Sequence, residues 1–429
     1  MYRLMTEKLI AWRQKENRKP LILKGARQVG KTWLMKDFGR RFYENTAYIS
    51  FYNNRAASAL FEADYDAARI IEGISALLRM KIRPGKTLIV FDEVQQAPRV
   101  IEALKYFCED APDYHIIASG SLLGVAAHEG ISYPVGKAEE LTLRPMNFKE
   151  FLLALGEDGL AGFLSDFENP LVSELSEKYE QLLKQYLAVG GMPEAVDTFV
   201  KTGDLSAVRE VQLAIVSQYE GDFGKHIEAR QLPRIRMTWQ AIPVQLAKEN
   251  RKFFFGQVKK GARMSDFEIA IEWLVNAGLV YKVNLVSKPA HPLKAYADFS
   301  AFKLYVVDVG LLGALSELAP EIILNGNRVY EEFKGAVAEQ YVLQELIATE
   351  KYVPYYYSGE KSTYEVDFLI QKGADIVPVE VKAEDNLRAK SLKVYCEKYR
   401  PELAVRTSAA RMRRQDWMVN VPLWAIASI

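Results

Sequence analysis

The N-terminal third of the chain alternates between strand-like and helix-like patterns of apolar residues. Short apolar runs at residues 21–23, 47–51, 87–91 and 115–118 predict buried strands, and residues 67–80 have apolar positions at helical spacing. Strands that alternate with helices in chain order are typical of an α/β fold with a parallel sheet. This part of the chain is therefore predicted to be an α/β unit.

The middle of the chain has a largely helical pattern. Residues 148–220 are predicted to be helical, with an interruption at the turn cluster Val189–Pro193. From Phe267 to Gly278 apolar residues recur at helical spacing, and residues 279–286 follow as a strand. The first segment predicts a helical lid, and the helix, glycine and strands of the second predict a winged-helix-like segment.

The C-terminal part places charged residues on strand and helix faces that should meet. Strand alternation over residues 364–370 places Asp367 on the polar face, and Glu380 and Lys382 share one face of the next strand. On the preceding helix, Glu339 lies at the centre of an apolar stripe that should face the sheet. A carboxylate on a buried stripe needs a partner. The stripe consists of Gly335, Ala336, Val342, Leu343 and Leu346.

Residues 25–32 have the spacing GxxxxGK(S/T), after a predicted strand and before the apolar run Trp33–Met35. Glycines allow backbone N–H groups to close around phosphate oxygens, a lysine at this position reaches the β and γ phosphates, and the threonine hydroxyl holds Mg²⁺. The segment therefore predicts a phosphate-binding loop. Its residues are Gly25, Ala26, Arg27, Gln28, Val29, Gly30, Lys31 and Thr32.

Two acids, Asp92 and Glu93, directly follow the apolar run at residues 87–91. Ligands of such folds bind where the strands end, so Asp92 is predicted to hold Mg²⁺ through water and Glu93 to orient the attacking water. The run is thus a Walker B strand candidate; the alternative is that both acids only cap the next helix. A further strand runs into Ser119 and Ser121, which are either γ-phosphate sensors or residues of a plain tight turn.

Composition excludes several classes of protein. A chain of 429 residues is too long for one core and predicts about two or three domains. Lys and Arg (56) nearly balance Asp and Glu (55), so nucleic-acid binding would require a local patch. The two cysteines and four histidines are scattered, which argues against a disulfide framework or a zinc site. The N-terminus resembles neither a signal peptide nor an anchor, and no apolar run reaches membrane-spanning length, which predicts a cytoplasmic protein without membrane contact.

Two local basic patches make DNA a candidate partner. The first surrounds Phe253, Phe254 and Phe255, which are either DNA-stacking residues or core residues, and it consists of Lys248, Arg251, Lys252, Lys259, Lys260 and Arg263. The second follows Lys382, where nine basic residues outnumber five acidic ones. Its basic residues are Arg388, Lys390, Lys393, Lys398, Arg400, Arg406, Arg411, Arg413 and Arg414.

The N-terminal half resembles the AAA-type predicted ATPases of bacteria and archaea. The resemblance rests on the segments GARQVGKTWL, LIVFDEVQQAP, IIASGSLLG and LRPMNFKEFL. It implies that residues 25–32 bind ATP and that Asp92 and Glu93 serve Mg²⁺ and hydrolysis. Such ATPases present an arginine to the γ phosphate, often from a neighbouring subunit, so the resemblance also allows a homo-oligomer. Arg144 is the candidate for this arginine, and the alternative is that Arg144 is an ordinary surface residue.

The C-terminal part resembles the restriction-endonuclease-like nucleases, whose signature is PD, a spacer and (D/E)xK. The resemblance implies that Asp367 and Glu380 are metal ligands, Lys382 the catalytic lysine and Glu339 the helix acid. Val366 departs from the signature because it stands where the motif has proline. The segments FKGAVAEQYVLQEL, EVDFLI and VPVEVKA are also typical of the domain of unknown function that follows the ATPase in this family. A cross-strand salt bridge between Asp367 and Lys382 is the structural alternative.

Together these patterns predict an α/β chain with four segments. They are a P-loop AAA-type ATPase domain (1–145), a helical lid (146–225), a winged-helix-like domain (226–320) and a restriction-endonuclease-like domain (321–429). The predicted function is Mg²⁺-dependent ATP binding and hydrolysis coupled to a DNA-binding, nuclease-like module. The alternative is a nucleotide-dependent switch or scaffold that binds a protein partner and cuts nothing. An ordinary metabolic kinase would leave the C-terminal half unexplained.

Overall fold

The chain forms two compact units. The computed structural model describes residues 1–120, 134–225, 227–248, 252–325, 331–359, 364–383 and 389–429. The N-terminal unit contains Tyr2–Arg144 and Asn276–Leu279, and the C-terminal unit contains Met1, Pro145–Val275 and Val280–Ile429. Ser121, Arg251 and Arg388 lie outside the described residues.

The N-terminal unit alternates strands and helices, as the apolar pattern predicts. In chain order its elements are α1 (Met5–Arg13), β1 (Leu21–Lys24), α2 (Lys31–Phe42), β2 (Asn45–Ser50), α3 (Arg55–Ala59), α4 (Ala67–Leu78), β3 (Thr87–Asp92), α5 (Pro98–Asp110), β4 (His115–Ser119) and β5 (Glu139–Thr142). The described strands form one sheet in the order β2-β3-β4-β1-β5. Every pair in it is parallel, which confirms the predicted α/β class.

The pairing registers explain why polar residues meet at one edge of this sheet. Ser50 lies opposite Asp92 in the β2–β3 pair, and Leu23 lies opposite Ser119 in the β1–β4 pair. All residues of β3 are buried, which is why its sequence is a continuous apolar run and not an alternating one. The carboxyl ends of four neighbouring strands therefore lie side by side, next to the loop between β1 and α2.

Helices make up the first part of the C-terminal unit, as predicted. They are α6 (Phe148–Ala154), α7 (Asp158–Phe163), α8 (Pro170–Glu174), α9 (Ser176–Val189), α10 (Pro193–Thr202), α11 (Leu205–Asp222), α12 (Leu232–Leu246), α13 (Phe255–Val258) and α14 (Met264–Asn276). The predicted turn cluster separates α9 from α10. Gly191 is required in it because a Cβ there would lie 1.9 Å from the carbonyl oxygen of Met146.

The rest of this unit is organised around a second sheet. Its elements are β6 (Val280–Val286), β7 (Ala297–Val306), α15 (Val309–Leu315), α16 (Pro320–Asn325), α17 (Glu331–Ala348), β8 (Tyr355–Ser358), β9 (Glu365–Lys372), β10 (Asp375–Val381), α18 (Lys390–Tyr399), β11 (Val405–Ser408), β12 (Arg413–Gln415) and β13 (Met418–Pro422). Within the described residues the strand order is β12-β13-β11-β10-β9-β8-β6-β7.

The second sheet continues across the domain boundary predicted at residue 320. The hairpin strands β6 and β7 pair with each other in antiparallel fashion, as a wing would, but β6 also pairs in parallel with β8. The helix, glycine and strand order predicted for residues 267–286 is thus present. Its two strands form one edge of the same sheet that carries β9 and β10.

Candidate functional site

The phosphate loop between β1 and α2 has the backbone conformation that its glycines permit. Gly25 has φ +144°, and a Cβ at this position would lie 2.2 Å from the carbonyl oxygen of Leu143. Gly30 has φ +92° and directly precedes α2, so it brings no side chain to cap the first-turn amides of that helix. These amides and the positive end of the helix dipole are available to phosphate oxygens.

Lys31 lies inside the loop with 7% of its surface exposed. Its Nζ donates to the carbonyl oxygens of Gly25 (2.9 Å) and Ala26 (2.7 Å). Burial lowers the pKa of Lys31 to about 8, although the charges of Glu93 and Asp92 raise it. A buried ammonium group gains much from an anionic partner, so the loop provides a site for the phosphate chain of a nucleotide.

Asp92 ends β3 and receives three side-chain hydrogen bonds. Its Oδ2 accepts from Thr32 Oγ1 (2.7 Å) and Tyr48 OH (2.9 Å), and its Oδ1 accepts from Ser119 Oγ. The carboxylate therefore faces the phosphate loop and does not cap the following helix. A hydroxyl and a carboxylate this close are hard oxygen ligands of the kind that Mg²⁺ prefers, so Thr32 and Asp92 fit the role predicted for them.

Glu93 lies one residue beyond the strand, in the left-handed backbone region with φ +56°. Its N–H donates to Asp92 Oδ1 (3.1 Å), and its carboxylate accepts a hydrogen bond from the side-chain amide of Gln95. Such a backbone conformation is uncommon for a residue other than glycine. It places a carboxylate at the sheet edge beside the Mg²⁺ ligand candidates.

Tyr48 belongs to this site although no sequence motif points to it. Burial, followed by the charge of Asp92, raises the pKa of the Tyr48 phenol, which keeps it a hydrogen-bond donor. The only indication in the sequence is the alternation along β2, where Tyr48 and Ser50 alternate with the buried Ala47 and Ile49 and so share the other face of the strand. Using that signal requires knowing that β2 neighbours β3, which the sequence does not state.

The remaining candidates for contact with the γ phosphate are Ser119, Ser121 and Arg144. Ser119 contacts Asp92, whereas Ser121 lies outside the described residues. Arg144 ends the first segment of the unit, and its Nη1 donates weakly to the carbonyl oxygen of Thr142 (3.4 Å). The γ-phosphate roles of these three residues stay predictions.

The second candidate site lies where β9 and β10 run side by side in the C-terminal unit. Lys382 Nζ pairs with Glu380 Oε1 (2.7 Å), and the N–H of Val381 donates to Asp367 Oδ2 (2.8 Å). The two predicted strand carboxylates and the lysine therefore come together. The lysine pairs with Glu380, which lies two residues before it in the chain.

Glu380 is the most deeply buried of these three charged side chains. It is 4% exposed, and its Oε2 is buried without a hydrogen-bond partner among the described residues. Burial, and then the neighbouring charge of Asp367, raises its pKa to about 7, although Lys382 and Lys303 lower it. An orphaned, buried carboxylate oxygen next to a second carboxylate fits a divalent cation.

Glu339 faces the sheet, as predicted, but its partners differ from those expected. It accepts a hydrogen bond from Tyr305 OH (3.1 Å) and lies 4.0 Å from the buried Nζ of Lys303, which also pairs with Glu365 (2.6 Å). Within the described ranges, no three His, Cys, Asp or Glu side chains are grouped so that they could hold a metal ion. Glu339 thus pairs with Lys303 and Tyr305, and its role as a common metal ligand with Asp367 and Glu380 stays a prediction.

The described basic residues of both patches are exposed, with the exception of Arg406. Lys259 and Lys260 are exposed, whereas Phe253 is buried and stacks on Phe302 with ring centroids 5.8 Å apart. In the C-terminal patch Arg406 points inward and donates to Asn420. The core interpretation is thus correct for Phe253, while Phe254 is 45% exposed.

Comparison with protein-family models gives three consecutive matches. Residues 17–152 match the AAA domain, residues 180–321 match a domain of unknown function (DUF8612), and residues 334–426 match another (DUF4143). The comparison with curated proteins finds no match. None of the helices in the described part of the chain combines the length and apolarity needed to cross a membrane.

Three solved structures illustrate the structural likenesses. The Walker-type ATPase PABY2304 of Pyrococcus abyssi is 14% identical, with 72% of this chain and 94% of that chain covered and a TM-score of 0.45. The Aeropyrum pernix ORC1 protein in complex with DNA is 16% identical (73% and 90% covered, TM-score 0.28). AMPPCP-bound DnaA from Aquifex aeolicus is 12% identical (64% and 87% covered, TM-score 0.29). All three TM-scores are below 0.5.

The AAA match coincides with the parallel sheet and the phosphate loop described above. Its residues 17–152 include the loop and the acidic end of β3. The N-terminal unit is thus an AAA-type ATPase domain, and the protein is an ATPase.

Proposed function

We propose that the protein hydrolyses ATP in a Mg²⁺-dependent reaction at the edge of the parallel sheet. The observation that carries this proposal is the 2.7 Å contact between Thr32 Oγ1 and Asp92 Oδ2, beside the inward-facing Lys31. Lys31 exchanges its two carbonyl acceptors for phosphate oxygens, and the loop amides bind the same phosphates. When bound, Mg²⁺ would be held by Thr32 and Asp92 and would neutralise phosphate charge.

Glu93 is the proposed group that orients the attacking water. Its carboxylate accepts a hydrogen bond from Gln95 and lies near enough to Lys31 for its charge to raise the pKa of that lysine. Tyr48 and Ser119 keep Asp92 in place by donating to its two oxygens. These residues bind, orient and accept hydrogen bonds; none forms a covalent bond with the nucleotide.

Two substitutions test this assignment. Lys31→Ala should abolish ATP binding, because the phosphates lose their buried cation. Glu93→Gln should keep ATP affinity and lower turnover about a hundredfold or more, because an amide does not accept the proton of water. Binding is measured by calorimetry and turnover by phosphate release, with the exposed Glu72→Gln as a control of unchanged activity. Normal turnover in Glu93→Gln would remove that residue from its role.

We also propose that the C-terminal unit binds DNA and a divalent cation, and that it has nuclease activity. The observation favouring this is the orphaned Glu380 Oε2 beside Asp367 and Lys382. Asp367 and Glu380 would hold the cation, which would supply an activated water, and Lys382 would stabilise the charge developing on the phosphodiester. Because the pKa of Glu380 is about 7, cation affinity should rise as the pH increases through that value.

The test compares wild type with Asp367→Ala/Glu380→Ala on single-stranded, duplex and branched DNA in Mg²⁺ or Mn²⁺. Wild type should bind Mn²⁺ at the C-terminal site in calorimetry and cut at least one substrate, whereas the double variant should lose that binding event and the cleavage. Lys382→Met should keep Mn²⁺ binding and lose cleavage. Equal absence of cleavage in all proteins would reject the nuclease proposal and favour the alternative, a nucleotide-dependent switch or scaffold that binds a protein partner.

A further inference from the structure

Arg3 contacts the phosphate loop although it lies outside the segment that matches the AAA domain. Its side chain is buried, with 4% of its surface exposed. Nη1 donates to the carbonyl oxygen of Val29 (2.7 Å), and Nη2 donates to the carbonyl oxygen of Arg144 (2.6 Å). One guanidinium group therefore joins the loop to the segment that follows β5, within the N-terminal unit.

The contact with Val29 determines the direction of a loop amide. In a trans peptide the C=O and N–H groups point in opposite directions, so the carbonyl of Val29 and the N–H of Gly30 belong to one plane and oppose each other. With the carbonyl held by Arg3, the Gly30 N–H is directed away from Arg3. Gly30 has φ +92°, and glycine offers little resistance to rotation of this peptide when the hydrogen bond is absent.

The other end of the loop is supported by the same strand segment. Gly25 packs directly against the carbonyl oxygen of Leu143, and the N–H of Leu143 donates to the carbonyl oxygen of Lys24 (2.8 Å). The loop is thus supported at Gly25 by Leu143, directly after β5, and at Val29 by Arg3. Supporting both ends before the ligand arrives reduces the ordering cost of binding.

We propose that Arg3 is a positioning residue for the nucleotide. It holds the Val29–Gly30 peptide so that the Gly30 amide donates to the phosphate chain of a nucleoside triphosphate. Arg3 itself does not touch the nucleotide. Because the amide contacts phosphate in the ground state and the transition state alike, loss of Arg3 should weaken affinity and raise KM while kcat stays near the wild-type value.

The experiment compares the full-length variants Arg3→Gln, Arg3→Lys and Arg18→Gln with wild type. Arg18 is the matched control, because it comes from the same N-terminal segment and also donates to two main-chain carbonyls, those of Arg13 (3.4 Å) and Pro112 (3.1 Å), but not to the loop. Calorimetry should show the Kd for ATP rising roughly tenfold in Arg3→Gln, the loss expected for one charged hydrogen bond. Arg18→Gln should keep the wild-type Kd.

A second measurement separates positioning from a purely structural role. The rise in Tm produced by a set concentration of ATP should be smaller in Arg3→Gln than in wild type. A structural role alone would lower the Tm without ATP and leave both the rise and the Kd unchanged, which would overturn the proposal. An equal loss of affinity in Arg18→Gln would overturn it as well.

Arg3→Lys keeps the proposal testable if Arg3→Gln does not fold. An ammonium group retains the charge but cannot replace the guanidinium fork at both carbonyls. Its Kd should therefore be higher than that of wild type. A wild-type Kd in a folded Arg3→Lys protein would show that the fork is not needed and would overturn the proposal.

Discussion

Burial controls the protonation of carboxyl groups deep inside the C-terminal unit. Glu345 lies on α17, and its Oε1 accepts the N–H of Phe148 (2.8 Å). The pKa of Glu345 is raised to about 8, mainly by burial. The hydrogen bond from Phe148 opposes this rise, and the charge of Glu150 adds to it. Burial also raises the pKa of Asp308 to about 6. Glu345 is therefore mostly protonated in the folded protein at neutral pH, while in the unfolded chain it is ionised.

This difference predicts a pH-dependent stability of the C-terminal unit. Between pH 4.5, the ordinary pKa of the group, and about 8, the folded state binds more protons at Glu345 than the unfolded state does, so stability falls as pH rises. The cost above pH 8 is on the order of a few kcal/mol. Glu345→Gln should remove most of this decline, because the amide keeps an acceptor for Phe148 and carries no charge. Urea unfolding from pH 5 to pH 9 measures it.

Glu397 is an exposed residue of α18, so Glu397→Gln is the control that removes one carboxyl group without changing a buried one. It should reproduce the pH profile of wild type. A profile of Glu345→Gln that also follows wild type would assign the pH dependence to other groups, such as Asp308 or Glu380.

At the scale of elements, the strand, loop and helix that bind phosphate depend on a close approach at Gly25. A Cβ there would lie 2.2 Å from the carbonyl oxygen of Leu143, and φ +144° is unfavourable for any other residue. Gly25→Ala should displace the loop from Leu143 and weaken ATP binding by about tenfold or more, because overpacking of this kind costs about 1–3 kcal/mol. Calorimetric titration with ATP measures the effect.

Gly85→Ala controls for the backbone strain alone. Gly85 has φ +67° in the same unit, but a Cβ there would meet no atom within 4 Å. This variant should lose some stability and keep the wild-type affinity for ATP. If both alanine variants bind ATP equally well, the packing of Gly25 against Leu143 is not what shapes the loop.

At the scale of the whole molecule, charge is nearly balanced, with a formal net charge of +1. DNA binding must then come from exposed local patches such as Lys259 and Lys260 beside the exposed Phe254. DNA affinity should fall steeply with salt. Lys259→Gln/Lys260→Gln should reduce the slope of log K against log salt by about one for each phosphate that the variant no longer neutralises. Fluorescence anisotropy over a salt series measures both quantities.

The control pair removes the same charge elsewhere. Lys15 and Lys86 are exposed lysines of the N-terminal unit that already pair with Glu139 (2.5 Å) and Glu44 (2.8 Å). Lys15→Gln/Lys86→Gln should leave the salt slope unchanged. A flat salt response of wild type would contradict DNA binding and favour a protein partner.

Local patterns predicted the parallel sheet of the N-terminal unit and the helices that follow it. The parallel sheet, the loop and the placement of Asp92 follow from short apolar runs and from motif spacing, since each is encoded within about ten residues of sequence. Asp367, Glu380 and Lys382 were also brought together as strand alternation predicts. Tyr48 and Lys303 were missed, because each acts through a neighbour on another strand that no local pattern identifies.

The sequence by itself indicated the phosphate-binding loop and the two acids after β3, because each lies within a short and recognisable segment. Only the tertiary structure decided what lies around them. It placed Arg3 against the carbonyl of Val29, gave Glu339 the partner Lys303, and joined β6 to β8 in one sheet. Strand pairing and burial join residues far apart in the chain, and they also set the pKa of groups such as Glu380 and Glu345.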